Sequence, residues 1–144
     1  MSAILFALYT LLSGAQQGII IFLLREFVPP RYGIYINAAF HAGGALIYGL
    51  LVSYAAHVTH APLWPTVAIA VLLRIALFDP AVNLARSWVA HREGRAWEPV
   101  FAVGFSALFD RALRRVANAL ALNPSALSAA VRVSALGAIA GLLW

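Results

Sequence analysis

The sequence predicts an all-α membrane protein: an integral helical bundle of about four transmembrane helices, with an amphipathic helix on the cytoplasmic side. Three observations predict it. Of the 144 residues, 63% are hydrophobic and only 10% charged, and the mean hydropathy is +0.87. Soluble domains carry roughly 25% charged residues, and a soluble fold this small has too little interior to hide so much apolar surface. The apolar residues also fall into stretches near the length of about 20 residues that crosses a bilayer. Finally, the basic residues gather between alternate stretches rather than evenly along the chain.

The first span is expected over residues 3–24, stopped by Arg25, Glu26 and the pair Pro29-Pro30. No basic residue precedes this run and no A-x-A site closes it, so it reads as a retained helix rather than a cleaved signal. The second is expected over residues 35–57. Pro62 and Pro65 then break the chain, with Trp64 placed to anchor at the membrane interface. The third, residues 63–78, is short and contains Arg74. The fourth, residues 124–143, contains Arg132.

Between the last two spans lies a polar, amphipathic segment, residues 79–123. Asp79-Pro80, Glu98-Pro99 and Asn123-Pro124 each resemble a helix start: a side chain able to accept from free N–H groups, then a proline whose missing N–H costs nothing there. A short helix from Pro80 to about His91 and a second from Pro99 toward Leu122 are therefore expected. In the second, Phe101, Phe105, Leu108, Ala112, Val116 and Leu120 recur at helical spacing. It suits an interfacial helix lying among headgroups, a helix packed on the bundle's own end, or a re-entrant fifth segment.

Orientation follows from arginine placement, since positive loops stay cytoplasmic. The first connection carries Arg25 and Arg31 and the second none. The third carries Arg86, Arg92, Arg95, Arg111, Arg114 and Arg115. Four spans with both termini on the non-cytoplasmic side fit this alternation. The expected location is a bacterial inner membrane or a viral membrane.

Several features suggest roles. Gly14 with Gly18 and Gly137 with Gly141 are G-x-x-x-G pairs. Ala39 with Gly43, and Ala45 with Gly49, are looser versions. Such spacing lets backbones approach closely, within one bundle or with partner helices. Gln16 and Gln17 lie mid-span, and a polar side chain in hydrocarbon needs a partner. Arg132 leans toward the cytoplasm and can snorkel, whereas Arg74 leans away from its nearer surface and calls for a carboxylate, with Asp79 and Asp110 available, or a water cavity. Asp79, Asn83 and Arg86 share one helical face and, with Arg111, Arg114 and Arg115, could contact a lipid headgroup or phosphate.

There are no cysteines, which excludes thiolate chemistry and palmitoylation. Four scattered histidines do not assemble a zinc or haem site, so no metal and no cofactor are expected. No motif of a hydrolase, metalloprotease or nucleotide-binding enzyme occurs, and nothing suggests nucleic-acid binding. The expected partners are the bilayer and other membrane helices.

Phe78-Asp79-Pro80-Ala81-Val82-Asn83-Leu84-Ala85-Arg86, followed by Ser106 and Asp110-Arg111, resembles a pattern in small polytopic membrane proteins of bacteria and their phages. That pattern is F-D-x-x-x-N-x-x-R, a short turn, then S-x-x-x-D-R, with a longer separation here. The resemblance implies a polar element at the cytoplasmic membrane edge and no activity. Three functions stay open. The chain could be a non-catalytic subunit of a larger membrane assembly, a small oligomeric pore, holin-like or transport protein, or a lipid-binding or lipid-modifying protein.

Overall fold

A computed structural model describes residues 2–27, 29–103 and 108–143. The described residues form five helices: α1 (Ser2–Phe27), α2 (Pro30–Thr59), α3 (Leu63–Arg92), α4 (Leu108–Ala119) and α5 (Pro124–Leu143). Four of them, α1, α2, α3 and α5, are long and apolar enough to cross a membrane. Their outward faces carry large apolar side chains such as Leu12, Leu46, Leu50 and Val133, as lipid-facing surfaces must.

Pairings along the helices fix their directions. Gly14 approaches Phe78 and Ala81, and Gly18 approaches Val82 and Ala85, so α1 and α3 run parallel. Tyr9 reaches Gly44 while Gln17 reaches His41, so α2 runs against them. Arg132 meets Asp79 while Ile139 joins the cluster containing Leu73, so α5 also runs against α3. Successive spans therefore alternate. The most extensive interface is between α1 and α3; α5 packs on α3, α2 lies more loosely on both, and α4 touches α5.

The interior is divided. Toward the end that holds the α2–α3 turn, Phe6, Val52, Ala55, Ala70, Leu73 and Ile139 make an apolar core. Toward the other end, the buried positions include Gln17, Asn83, Ser87, Ser128 and Arg132.

Two expected helix starts do not occur. α3 is one continuous helix with Pro80 inside it, so residues 79–92 belong to the third span instead of opening a new helix. A proline in a helix interior removes one hydrogen bond and crowds the preceding turn. Here the glycine face of α1 packs on both sides of it, against Phe78 and Ala81 and then Val82 and Ala85, and holds the two halves in line. At about 1.5 Å per residue the 30-residue helix is longer than the ~30 Å hydrocarbon layer is thick. Nor does Pro99 start a helix: residues 95–103 are a turn and irregular chain, with the Ala102 N–H donating to the Pro99 carbonyl at 2.9 Å. Asn123 does cap α5, its Oδ1 accepting from the N–H groups of Ser125 (2.8 Å) and Ala126 (3.3 Å).

α4 is shorter than expected. It buries Leu113 and Ala117, one turn apart, and leaves Val116 and Ala112 exposed; Leu120 and Phe101, both exposed, lie beyond its ends. The expected stripe is thus the outward face. Phe105 and Ser106 lie outside the described residues.

Candidate functional site

The polar centre of the bundle is built where α3 and α5 cross. Arg132, one turn along α5 from Ser128, donates to the Ser128 carbonyl at 3.2 Å and to its hydroxyl, and its NH2 donates to Asp79 Oδ2 at 2.6 Å. The Phe109 ring lies 5.7 Å from the guanidinium carbon. The Arg132 side chain is 3% exposed and that of Asp79 37%, so the cation is enclosed and the anion faces the rim. Arg132 therefore does not extend to the membrane surface. It is neutralised in place, because a buried charge is tolerated only when paired and hydrogen-bonded.

Of the two settings expected for Arg74, a carboxylate or a cavity, it has the second: it lines the cavities beside α3 and pairs with no carboxylate among the described residues. Its guanidinium lies over the Phe78 ring at 3.9 Å and near the Tyr48 ring at 5.7 Å, contacts of the cation–π kind. Asp79 goes to Arg132 because α5 brings its arginine directly across from the carboxylate.

Tyr48 organises the middle of the bundle. Its hydroxyl donates to the Ala70 carbonyl at 2.6 Å and lies 3.0 Å from Thr10 Oγ1, tying α2 to α1 and α3, with Phe6 and Tyr9 against its ring. Gln17 turns inward and its Nε2 lies 2.8 Å from His41 Nε2, while Gln16 is exposed. Tyr48, Thr10, His41 and Ser128 were not singled out as polar contacts from the sequence. A tyrosine in the apolar heart of a span, whose hydroxyl must find a partner, is the available signal.

The face of α3 bearing Asn83, Arg86 and Ser87 holds the following loop. Asn83 Nδ2 donates to the carbonyls of Val100 (2.9 Å) and Ala102 (3.0 Å). Arg86 pairs with Glu98, whose N–H donates to Ser87 Oγ at 3.1 Å. These contacts occupy two of the groups expected to meet a headgroup or phosphate, Asn83 and Arg86, and also explain why Glu98-Pro99 caps nothing. Arg114 donates to the Val103 carbonyl. Arg111 and Arg115 are exposed on α4.

The glycine pairs separate into two kinds. A Cβ on Gly14 would lie 2.7 Å from the Phe78 carbonyl oxygen, and one on Gly18 would collide with that of Val82, so this pair is consumed in the α1–α3 contact. Gly43, Gly49, Gly137 and Gly141 have nothing within 4 Å of an added Cβ, and Ala39 is exposed. The small-residue faces of α2 and α5 are open.

Two adjoining cavities open beside α3. One, of about 310 Å³, lies between α2 and α3 against Ala45, Gly49, Val67 and Val71. The second, of about 330 Å³, continues past Ile75 and Phe78 to Asp79 and Phe109. Tyr48, Val71 and Arg74 line both. Among the described residues no group of three or more His, Asp or Glu is placed to hold a metal ion. Compared with protein-family models, curated proteins and solved structures, the chain matches none.

Proposed function

We propose that this protein is a non-catalytic helical subunit of a larger membrane assembly, with its arginine-rich end cytoplasmic and both termini on the opposite side. The carrying observation is the contrast between its glycine faces. Gly14 and Gly18 are spent inside the bundle, whereas Gly43, Gly49, Gly137 and Gly141 sit on open faces of α2 and α5. Lipid chains gain little from such grooves, while another helix gains close backbone packing, the main attraction between helices in a bilayer. The polar side chains favour this reading over a pore or a lipid-handling role. Gln17 is engaged with His41, Arg86 with Glu98, Arg132 with Asp79, and Asn83 with loop carbonyls. The test is native mass spectrometry of the tagged protein taken from its own membrane in nanodiscs. A stoichiometric complex with a different membrane protein is expected; a bare monomer would end the subunit reading.

A further inference from the structure

Arg74 lies eleven residues into α3, about 16 Å along it at ~1.5 Å per residue, which is near the middle of a ~30 Å hydrocarbon layer. An arginine at that depth is costly, and such residues pair with an anion, a carbonyl or water. The described residues give Arg74 two aromatic rings and no ion pair. Asp79 lies at the foot of the same cavity, but its carboxylate is bound to Arg132. The one carboxylate between α3 and α5 is thus taken by Arg132, and Arg74 has no ion pair among the described residues. Asp110 acts electrostatically on Asp79 from the first turn of α4.

The opening beside Arg74 suits a helix. Its wall on α2 contains Ala45 and Gly49, with no atom within 4 Å of a Cβ added at Gly49, and its wall on α3 is Val67 and Val71. We propose that this α2–α3 cleft receives a transmembrane helix of another protein, whose mid-membrane Asp or Glu pairs with Arg74. The proposal rests on the subunit reading and adds the chemistry of the partner. A second copy cannot supply that carboxylate. Of the chain's five acids, Glu26, Glu93, Glu98 and Asp110 fall at helix ends or between helices, and Asp79 is already bound to Arg132.

The probe is a labelled host helix of about 20 Leu and Ala residues with one central Glu, matched to a Gln version. Energy transfer from each to the labelled full-length protein is measured in phosphatidylcholine vesicles. The Glu helix is expected to associate on the order of tenfold more tightly than the Gln helix. The preference should vanish in Arg74→Leu and persist in part in Arg74→Lys. Gly49→Phe, which fills the cleft without touching the charge and has open space for its Cβ, should weaken both helices and guards against a folding artefact in Arg74→Leu. Equal association of the two helices, or a preference that survives Arg74→Leu, overturns the proposal. So does Arg74-dependent binding of oleate without a Glu-helix preference, which would make the cleft an amphiphile site. Arg74-dependent self-association with no Glu-helix preference overturns it too, as an interface between copies. Native mass spectrometry of Arg74→Leu separates the two readings. A complex that persists in that variant removes the Arg74 pairing and leaves the subunit role, whereas the absence of any complex in the unmodified protein removes the subunit role itself.

Discussion

Asp79 and Arg132, 53 residues apart in sequence, meet at 2.6 Å and join α3 to α5 through the only mid-span ion pair among the described residues. Breaking a buried pair from one side leaves an uncompensated charge, a loss of about 3–5 kcal/mol, while replacing both partners with apolar groups is often neutral. The two single variants should differ. Asp79→Leu strands an enclosed cation and is expected to cost most of that range. Arg132→Leu strands a carboxylate that already faces the rim and should cost less. The double variant Asp79→Leu/Arg132→Leu should recover most of the loss. Unfolding in mixed micelles, followed by circular dichroism, measures all three; additive losses in the double variant would contradict the pairing.

The glycines supply a second contrast. Gly14→Ala and Gly18→Ala each place a methyl group into backbone of α3 and should cost about 1–3 kcal/mol, the usual range for overpacking. Gly43→Ala and Gly137→Ala meet open space. In the isolated protein they should be neutral or stabilising by up to about 1 kcal/mol, since alanine suits a helix interior better than glycine. The same micelle unfolding series reads both pairs, and a ranking in the opposite order would place α1 elsewhere than against α3.

What was legible in the sequence and what was not follow from the range of the forces involved. Spans are legible because lipid demands a continuous apolar exterior, a property of each segment alone. The Asn123-Pro124 cap is legible because its hydrogen bonds close within three residues. Asp79-Pro80 carries the same local signature but is overruled by Arg132 on α5 and by the glycine face of α1, both remote in sequence. For the same reason Gly14-x-x-x-Gly18 announces a close approach without naming α3 as the neighbour. Residues 78–86 carry three polar side chains, Asp79, Asn83 and Arg86, at helical spacing. They acquire distinct structural tasks only once α5 and the 95–103 loop are in place.

Asn83 is the pin of that loop. Its amide donates to two carbonyls two residues apart, so Asn83→Ala or Asn83→Leu leaves both without that partner. A lost hydrogen bond contributes on the order of 1 kcal/mol, and local opening can occur well below the free energy of global unfolding. Hydrogen exchange across residues 95–103 should accelerate by roughly tenfold for Asn83→Ala, with little change in α1 or in the α3 half near Leu73. Uniform acceleration throughout the protein would instead make Asn83 part of the global core.

Orientation can be measured directly because the chain has no cysteine, so one introduced thiol is the sole reporter. Helix directions place the α2–α3 turn at one end of the bundle and the α3–α4 loop at the other. Arg95 in the latter, with Arg86 and Arg92 on α3, Arg111, Arg114 and Arg115 on α4, and Arg25 and Arg31 in the sequence, predicts that end to be cytoplasmic under the positive-inside bias. His57→Cys and Ala96→Cys are both exposed positions, one near each end. With a membrane-impermeant maleimide on intact cells, His57→Cys should label and Ala96→Cys should label only after permeabilisation. The reverse pattern would invert the protein and put the Asn83 loop outside. Labelling of both on intact cells would show that the four helices do not hold one orientation.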